Sequence, residues 1–269
     1  MIKKSLLTIV ALAGVLLTTA CGSQTSTEDN SLKEIQEAGK LVVAVSPDYA
    51  PFEFQTLIDG KNEVVGADID LAQAIADHLG VELEISVMSF DNVLSSLQSD
   101  KADIAISGIS YTEERAKTFD FSDSYYETEN AMLVLASEAD QYQTLEDFAN
   151  KSVAVQKGTI EEGLVKAQLT ESNVVSLTNM GEAINELKAG KVQAVNLEGP
   201  VAAGYLAQNS DLALSKVALE VSDGDAKAVA MPKGSNALKA EIDKVIAELL
   251  KNDSYSKFID EASKLTVVE

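Results

Sequence analysis

From residue 31 onwards the apolar positions of this chain alternate between two rhythms. Short continuous apolar runs at 41–45, 102–106 and 131–136 predict strands buried on both faces. The run at 81–87 alternates apolar with polar and predicts a strand with one covered face. Further short strands are predicted at 152–155, 174–177, 193–196 and 226–231, with extended segments at 119–126 and 214–221. Between them, capping signals and apolar residues three and four apart predict helices at 31–38, 71–79, 90–98, 181–189, 201–208, 236–251 and 254–262. Gly39 and Gly80 stand where helix C-caps stand, and Asp59-Gly60-Lys61-Asn62 reads as a hairpin turn.

Strands alternating with helices predict an α/β fold with mostly parallel sheets. The cycles are too many for one sheet and fall into two groups, roughly 31–129 and 130–221. No linker rich in proline or glycine separates them, so the joint between two lobes is short. The last segment, 222–269, fits either lobe.

The two groups share one junction: a strand ends, small residues turn the chain, and a helix begins. In the first group the turn is Ser107-Gly108-Ile109-Ser110. Ser110 and Glu113 have the spacing of a capping box, which predicts a helix starting near Tyr111 with Arg115 in its second turn. Arg115 is the one arginine of a chain with 21 basic residues. Its planar fork can hold a carboxylate through two parallel bonds, which lysine cannot do. The alternative is a surface arginine in an ordinary ion pair. In the second group Gln156-Lys157-Gly158 turns into Thr159 and Glu162, another capping-box spacing, which starts a helix at Ile160. A third stretch, Ser46 to Phe54, contains two prolines yet holds Tyr49, Phe52 and Phe54. Exposed loops seldom carry three aromatics so close together, so some of them should face a cavity.

Composition narrows the function. The chain is 46% hydrophobic and 24% charged, a globular balance, and lacks tryptophan. A net charge of −22 argues against a nucleic-acid partner and is compatible with a cationic ligand. His78 is the sole histidine, on the polar side of its helix, and Cys21 the sole cysteine. That leaves no intrachain disulfide, no histidine-based triad and no metal set; no catalytic residue and no cofactor is expected. Asp68 with Asp70, and Asp120 with Asp123, are acid pairs to consider, the first alternating around a strand end. No phosphate-binding Gly-x-x-x-x-Gly-Lys loop is present, so no ATPase activity is expected.

The first residues read as a targeting segment. Lys3 and Lys4 precede twelve apolar residues, 6–17, too few to span a bilayer as a helix. Thr18-Thr19-Ala20 and Cys21 follow, which resembles a bacterial lipoprotein signal over residues 1–20, although Thr18 stands where leucine is usual. The resemblance implies lipidation of Cys21 and a polar tether, 21–32, holding the protein on the outer face of the cell membrane, as in Gram-positive-type bacteria. The alternative is a plain secretory signal.

Five ordered landmarks point to a family. They are Asp48-Tyr49-Ala50-Pro51-Phe52-Glu53-Phe54, Gly66-Ala67-Asp68-Ile69-Asp70-Leu71-Ala72, the stretch from Ala102-Asp103-Ile104 to Thr112-Glu113-Glu114-Arg115, Phe119-Asp120-Phe121-Ser122, and Gly158-Thr159. Over 33–262 the chain resembles the polar-amino-acid solute-binding proteins of ABC importers, the group that holds the lysine/arginine/ornithine-, histidine- and glutamine-binding proteins. The resemblance implies a two-lobed periplasmic-binding-protein-like fold of type II. Each lobe is then a mixed, mostly parallel sheet flanked by helices, with a two-strand hinge near 127–133 and 219–226 and the ligand in the interlobe cleft. Lobe 1 is then 33–128 plus 222–269, and lobe 2 is 129–221.

The resemblance also implies roles. Arg115 holds an α-carboxylate with Ser107, Gly108 and Ser110, and Gln156, Thr159 and Ile160 form the facing half of the clamp. Glu198, ahead of Pro200-Val201-Ala202, takes the α-ammonium, where many members have aspartate. Tyr49 and Phe52 wall the side-chain pocket. Two helix starts aimed at one carboxylate, with one acid for the ammonium, suit a zwitterion in a closed cleft. Two departures fall beside that pocket: Ser46 where aspartate is common, and Ala67 where an aromatic ring is usual. Asp48 and Glu53 then become partners for a guanidinium or ammonium, which favours arginine or lysine, with glutamine and glutamate next. The alternative is that both acids are solvated. The partners implied are a free amino acid and the membrane subunits of a permease, with the protein itself a monomer. Two other functions share the fold: an enzyme like the aromatic-amino-acid dehydratases, which needs an acid positioned in the cleft, and a receptor sensing domain, which needs a membrane helix after the chain's last residues.

Overall fold

The computed structural model describes residues 29–221 and 225–266; Cys21 and the lipoprotein-like leader lie outside them. Two five-stranded sheets follow one plan. The first has the order Glu82–Val87, Lys40–Val45, Ile104–Ala105, Ala230–Pro232, Phe119–Phe121. The second has the order Asn173–Leu177, Ser152–Gln156, Ala194–Glu198, Asn130–Leu135, Leu212–Leu214. In each, three parallel strands built by helical crossovers are extended by two antiparallel ones. The runs at 41–45 and 153–155 are buried throughout or nearly so, as strands covered on both faces must be.

The chain crosses between the sheets twice. Tyr126–Thr128 leads out and Asp225–Lys227 leads back, paired antiparallel with Ala226 opposite Glu127. This is the two-strand hinge. The single strand expected at 226–231 is broken by it: one half belongs to the hinge and the other, Ala230–Pro232, joins the first sheet. The break falls where Ala228 N–H donates to Ile109 O at 3.0 Å and Val229 N–H to Ser122 Oγ at 2.9 Å.

Two helix starts differ from expectation. The helix placed at 71–79 begins at Ala67, because Ala67 and Asp68 N–H donate to the carbonyls of Pro51 (3.0 Å) and Phe52 (2.8 Å). That cap comes from a distant loop and leaves no local signature. It needs Gly66, whose φ is +134° and where a Cβ would lie 2.1 Å from Phe52 O. Asp68 and Asp70 therefore lie in a helix's first turn rather than around a strand end. The second difference is at Arg115. Its helix is the single turn Glu113–Ala116, and the cap is Thr112, whose Oγ1 accepts from Arg115 N–H at 3.1 Å. Ser110 does not cap it, and the start expected near Tyr111 is displaced by two residues.

The two five-stranded sheets are covered by separate apolar cores, but the Ser46–Phe54 segment, expected as a loop and instead folded back on itself with Asp48–Tyr49 paired antiparallel to the start of the strand Glu53–Ile58, belongs to both lobes. Tyr49 and Phe52 are buried in one cluster with Leu133, Leu197, Val201 and Ala202 of the second sheet and its helix. The lobes are thus in direct contact across this segment. No helix among the described residues is long and apolar enough to cross a membrane.

Candidate functional site

The first junction is held from behind by buried acids. Gly108 N–H donates to Asp68 Oδ2 at 2.7 Å, and Tyr125 and Tyr255 donate their hydroxyls to the same carboxylate at 3.1 and 2.6 Å. Ser46 N–H donates to Ser107 Oγ at 3.0 Å, and Ser107 Oγ in turn donates to Glu53 Oε1 at 2.5 Å. Gly108 has φ +53°, and a Cβ there would meet the Tyr49 ring at 3.4 Å. Burial, reinforced by Asp68, pushes the Glu53 carboxyl well above the ordinary glutamate range. Asp68 is also raised by burial, with its donors pulling the other way.

Arg115 joins the two junctions. Its Nη1 donates to Ser110 O at 2.7 Å and its Nη2 to Gly158 O at 3.0 Å, from the first lobe's turn to the second's. At the second junction Thr159 Oγ1 accepts from Glu162 N–H at 3.3 Å and donates to Gln156 O at 2.8 Å. Glu162 reaches back to Gly158 N–H at 2.8 Å, one residue short of a full capping box. The helix Ile160–Gln168 starts here as the spacing indicates. Gly158 has φ +86°, and a Cβ there would lie 3.3 Å from Asp91 Cα across the lobes. Lys157 pairs with that same Asp91 at 2.8 Å.

Glu198 ends the central strand of the second sheet and is buried. Its N–H donates to Tyr49 OH at 3.4 Å, and its Oε1 accepts from Lys227 Nζ. Lys227 also donates to Ser110 Oγ at 2.8 Å. It was absent from the sequence-derived candidates. The signal was there: Lys227 is the one charge inside the apolar run 226–231.

Asp48 spans the lobes. Its carboxylate accepts from Ser46 Oγ at 3.0 Å, from Gln156 Nε2 at 3.1 and 3.2 Å, and from Met180 N–H at 2.8 Å. Met180 opens the helix Met180–Lys188. Burial raises the Asp48 carboxyl above its ordinary value, opposed by these donors. The reading in which Asp48 and Glu53 are both solvated fails: Glu53 has no exposed surface and Asp48 is bound on three sides. Glu53 sits behind Ser107, shaping the turn.

The sequence-derived residues therefore fall into three linked sets. Ser107, Gly108, Ser110 and Arg115 meet Gly158 and, through it, Thr159 and Ile160. Tyr49 meets Glu198, and its ring lies 6.1 Å from that of Phe52. Ser46, Asp48 and Gln156 form a polar bridge. Beside that bridge runs a groove of about 250 Å³, lined by Asp48, Ala50, Phe54, Val201, Gly204 and Tyr205. Burial and the Asp48 charge push the Tyr205 hydroxyl up to about 12. The groove does not reach Arg115. Among the described residues no group of three His, Cys, Asp or Glu is arranged to hold a metal ion. His78 pairs with Glu241 at 2.9 Å at the surface.

Comparison with known proteins agrees with this two-lobed fold. The model of the bacterial extracellular solute-binding proteins, family 3, matches residues 41–262. The arginine-binding extracellular protein ArtP of Bacillus subtilis (strain 168) is 34% identical over 257 residues, 95% of this chain and 96% of its own. Among solved structures, an amino acid ABC transporter substrate-binding protein from Streptococcus pneumoniae Canada MDR_19A, bound to L-arginine, is 54% identical with a TM-score of 0.86, covering 88% of this chain and 99% of its own. The ancestral amino acid-binding protein AncCDT-1, a precursor of cyclohexadienyl dehydratase, is 32% identical with a TM-score of 0.78, covering 86% and 98%. With matched fold, matched length and this level of identity, the chain belongs to family 3 of the bacterial extracellular solute-binding proteins.

Proposed function

We propose that this protein captures a polar amino acid, L-arginine foremost, between its lobes and delivers it to an ABC permease. The observation that carries the reading is Arg115, the chain's one guanidinium, bonded to both Ser110 O and Gly158 O. A ligand carboxylate at that meeting point takes the fork of Arg115 together with the Ser110 hydroxyl, on the turn that Ser107 and Gly108 shape, and the Gln156–Ile160 turn closes over it. The α-ammonium goes to Glu198. The side chain runs past Tyr49 and Phe52 towards Asp48, the acid best placed for a guanidinium. Proteins of this family that are similar to the chain bind L-arginine, which supports the choice.

Opening and closing follow from the hinge. Residues 33–128 with 222–269 move against 129–221, supported by the way each part of the described chain carries its own five-stranded sheet. Ligand contacts made from both sides favour the closed state, and the permease recognises that state. Binding without catalysis is the reading for the site's acids: Glu53 and Asp68 hold the turn from behind, and Glu198 is ion-paired. The protein acts outside the cell, tethered by a lipid on Cys21; labelling with a fatty-acid analogue, and its loss in Cys21→Ala, tests the anchor.

Calorimetry of the protein against the twenty amino acids tests the function. L-arginine should bind with a Kd below about 100 μM, a free energy near −5.5 kcal/mol. If no amino acid reached that affinity, the transport reading would fall.

A further inference from the structure

Lys227 lies on the hinge strand opposite Tyr126, and its side chain has no exposed surface. A lysine stripped of water keeps its charge only where that charge is matched. Here the match is made by Glu198 Oε1, and Ser110 Oγ accepts a second bond at 2.8 Å. The ammonium therefore stands between the first lobe's turn and the second lobe's acid. It is placed there by backbone, not by a loose loop. Tyr111 N–H donates to Ala226 O at 2.9 Å, Ala228 N–H to Ile109 O at 3.0 Å, and Tyr125 N–H to Lys227 O at 2.9 Å. Ser110 and Lys227 form an isolated antiparallel bridge.

We propose that Lys227 is a built-in counter-ion of the amino-acid site, so that the site also accepts carboxylates whose α-nitrogen is uncharged or missing. This inference rests on the reading above, in which Glu198 receives the ligand's α-ammonium. In a site with Glu198 but no internal cation, a ligand without an ammonium would leave a buried carboxylate unmatched, and breaking a buried pair in this way is strongly destabilising. Lys227 matches Glu198 already. An incoming ammonium shares that carboxylate with a lysine, so it adds little. An incoming carboxylate meets Arg115 with Lys227 nearby, so it adds much. The ligand class widens to ω-guanidino acids and to amino acids acylated on the α-nitrogen, with the carboxylate as the required group.

The test uses L-arginine and 5-guanidinopentanoate, which is arginine without its α-amine. Calorimetry gives the ratio of their affinities in the wild type, in Lys227→Met and in Lys227→Arg. The wild type should lose no more than about tenfold on removal of the amine, and Lys227→Met at least about 100-fold, because Glu198 has then lost the lysine charge that offsets its own. Lys227→Arg, which keeps the charge, should hold the wild-type ratio. Equal ratios in wild type and Lys227→Met overturn the proposal. The wild-type ratio decides by itself should Lys227→Met not fold: a loss above about 100-fold overturns it. A wild type that binds no amino acid at all defeats the functional reading instead, which is a separate outcome.

Discussion

Asp48 of the first lobe accepts a hydrogen bond at 2.8 Å from the N–H of Met180, the opening residue of a helix in the second lobe. The same carboxylate takes Gln156 Nε2 from the second lobe. The first four N–H groups of a helix have no partner within it, and a negative charge there is favoured by the helix dipole. One lobe thus completes a helix of the other, and the contact exists only while the lobes are together.

Asp48→Ala should therefore weaken closure as well as any contact with a ligand guanidinium. Hydrogen bonds to a charged group are worth about 1.5–3 kcal/mol, so affinity for L-arginine should fall at least about tenfold. Small-angle scattering of the ligand-free variant should give a larger radius of gyration than the wild type. A variant as compact as the wild type would show that Asp48 does not hold the lobes.

Arg115→Lys separates grip from fold. Arg115 is half-buried, and its Nη1 and Nη2 donate to backbone carbonyls at the meeting of the junctions. A lysine keeps the charge but cannot make two parallel bonds to a carboxylate. Affinity for L-arginine should fall about tenfold or more, as expected for losing a charge-assisted bond. The melting temperature of the ligand-free protein should stay within a few degrees of wild type. An unfolded variant would make Arg115 a structural residue.

The alternation of rhythms was enough to read the two α/β lobes, because a strand buried on both faces leaves an unbroken apolar run. The junction at Thr159 was legible for the same local reason: its cap is three residues away. What escaped was nonlocal. The helix at Ala67 is started by carbonyls of Pro51 and Phe52 in another segment. Thr112 takes the place of Ser110 as the cap because the backbone at Ser110 and Tyr111 is paired with the hinge strand, Tyr111 N–H donating to Ala226 O. Asp48 and Glu53 looked alike as loop acids, yet one bridges the lobes and the other is sealed behind Ser107. Burial, which separates them, has no signature in a nine-residue stretch.

Gly158 tests how tightly the lobes meet. Its φ of +86° is strained for any other residue, and its position faces Asp91 of the first lobe at 3.3 Å from an added Cβ. Gly158→Ala should cost about 1–2 kcal/mol from the backbone alone. The crowding against Asp91 arises only on closure, so the variant should lose affinity for L-arginine beyond its loss of stability. Calorimetry together with thermal melting checks this; equal affinity in variant and wild type would mean that the lobes close without this contact.

Glu53 gives the protein a pH dependence of known sign. Its carboxyl is raised well above the ordinary value of 4.5, first by burial and then by the charge of Asp68, with Asp48 and Glu198 adding to it. The folded protein therefore holds this proton more tightly than the unfolded chain does. The stability it contributes is fully present below about pH 4.5 and is lost as pH rises through the folded-state value. Glu53→Gln keeps an oxygen to accept from Ser107 but has no charge to form. Relative to wild type, the variant should gain stability as pH rises from 4 to 8, with the smallest difference at the acid end. Urea denaturation at several pH values measures that difference directly. A difference that does not change with pH would mean that Glu53 titrates as an ordinary carboxyl, and that the turn behind Arg115 is not built on a buried acid held in its neutral form.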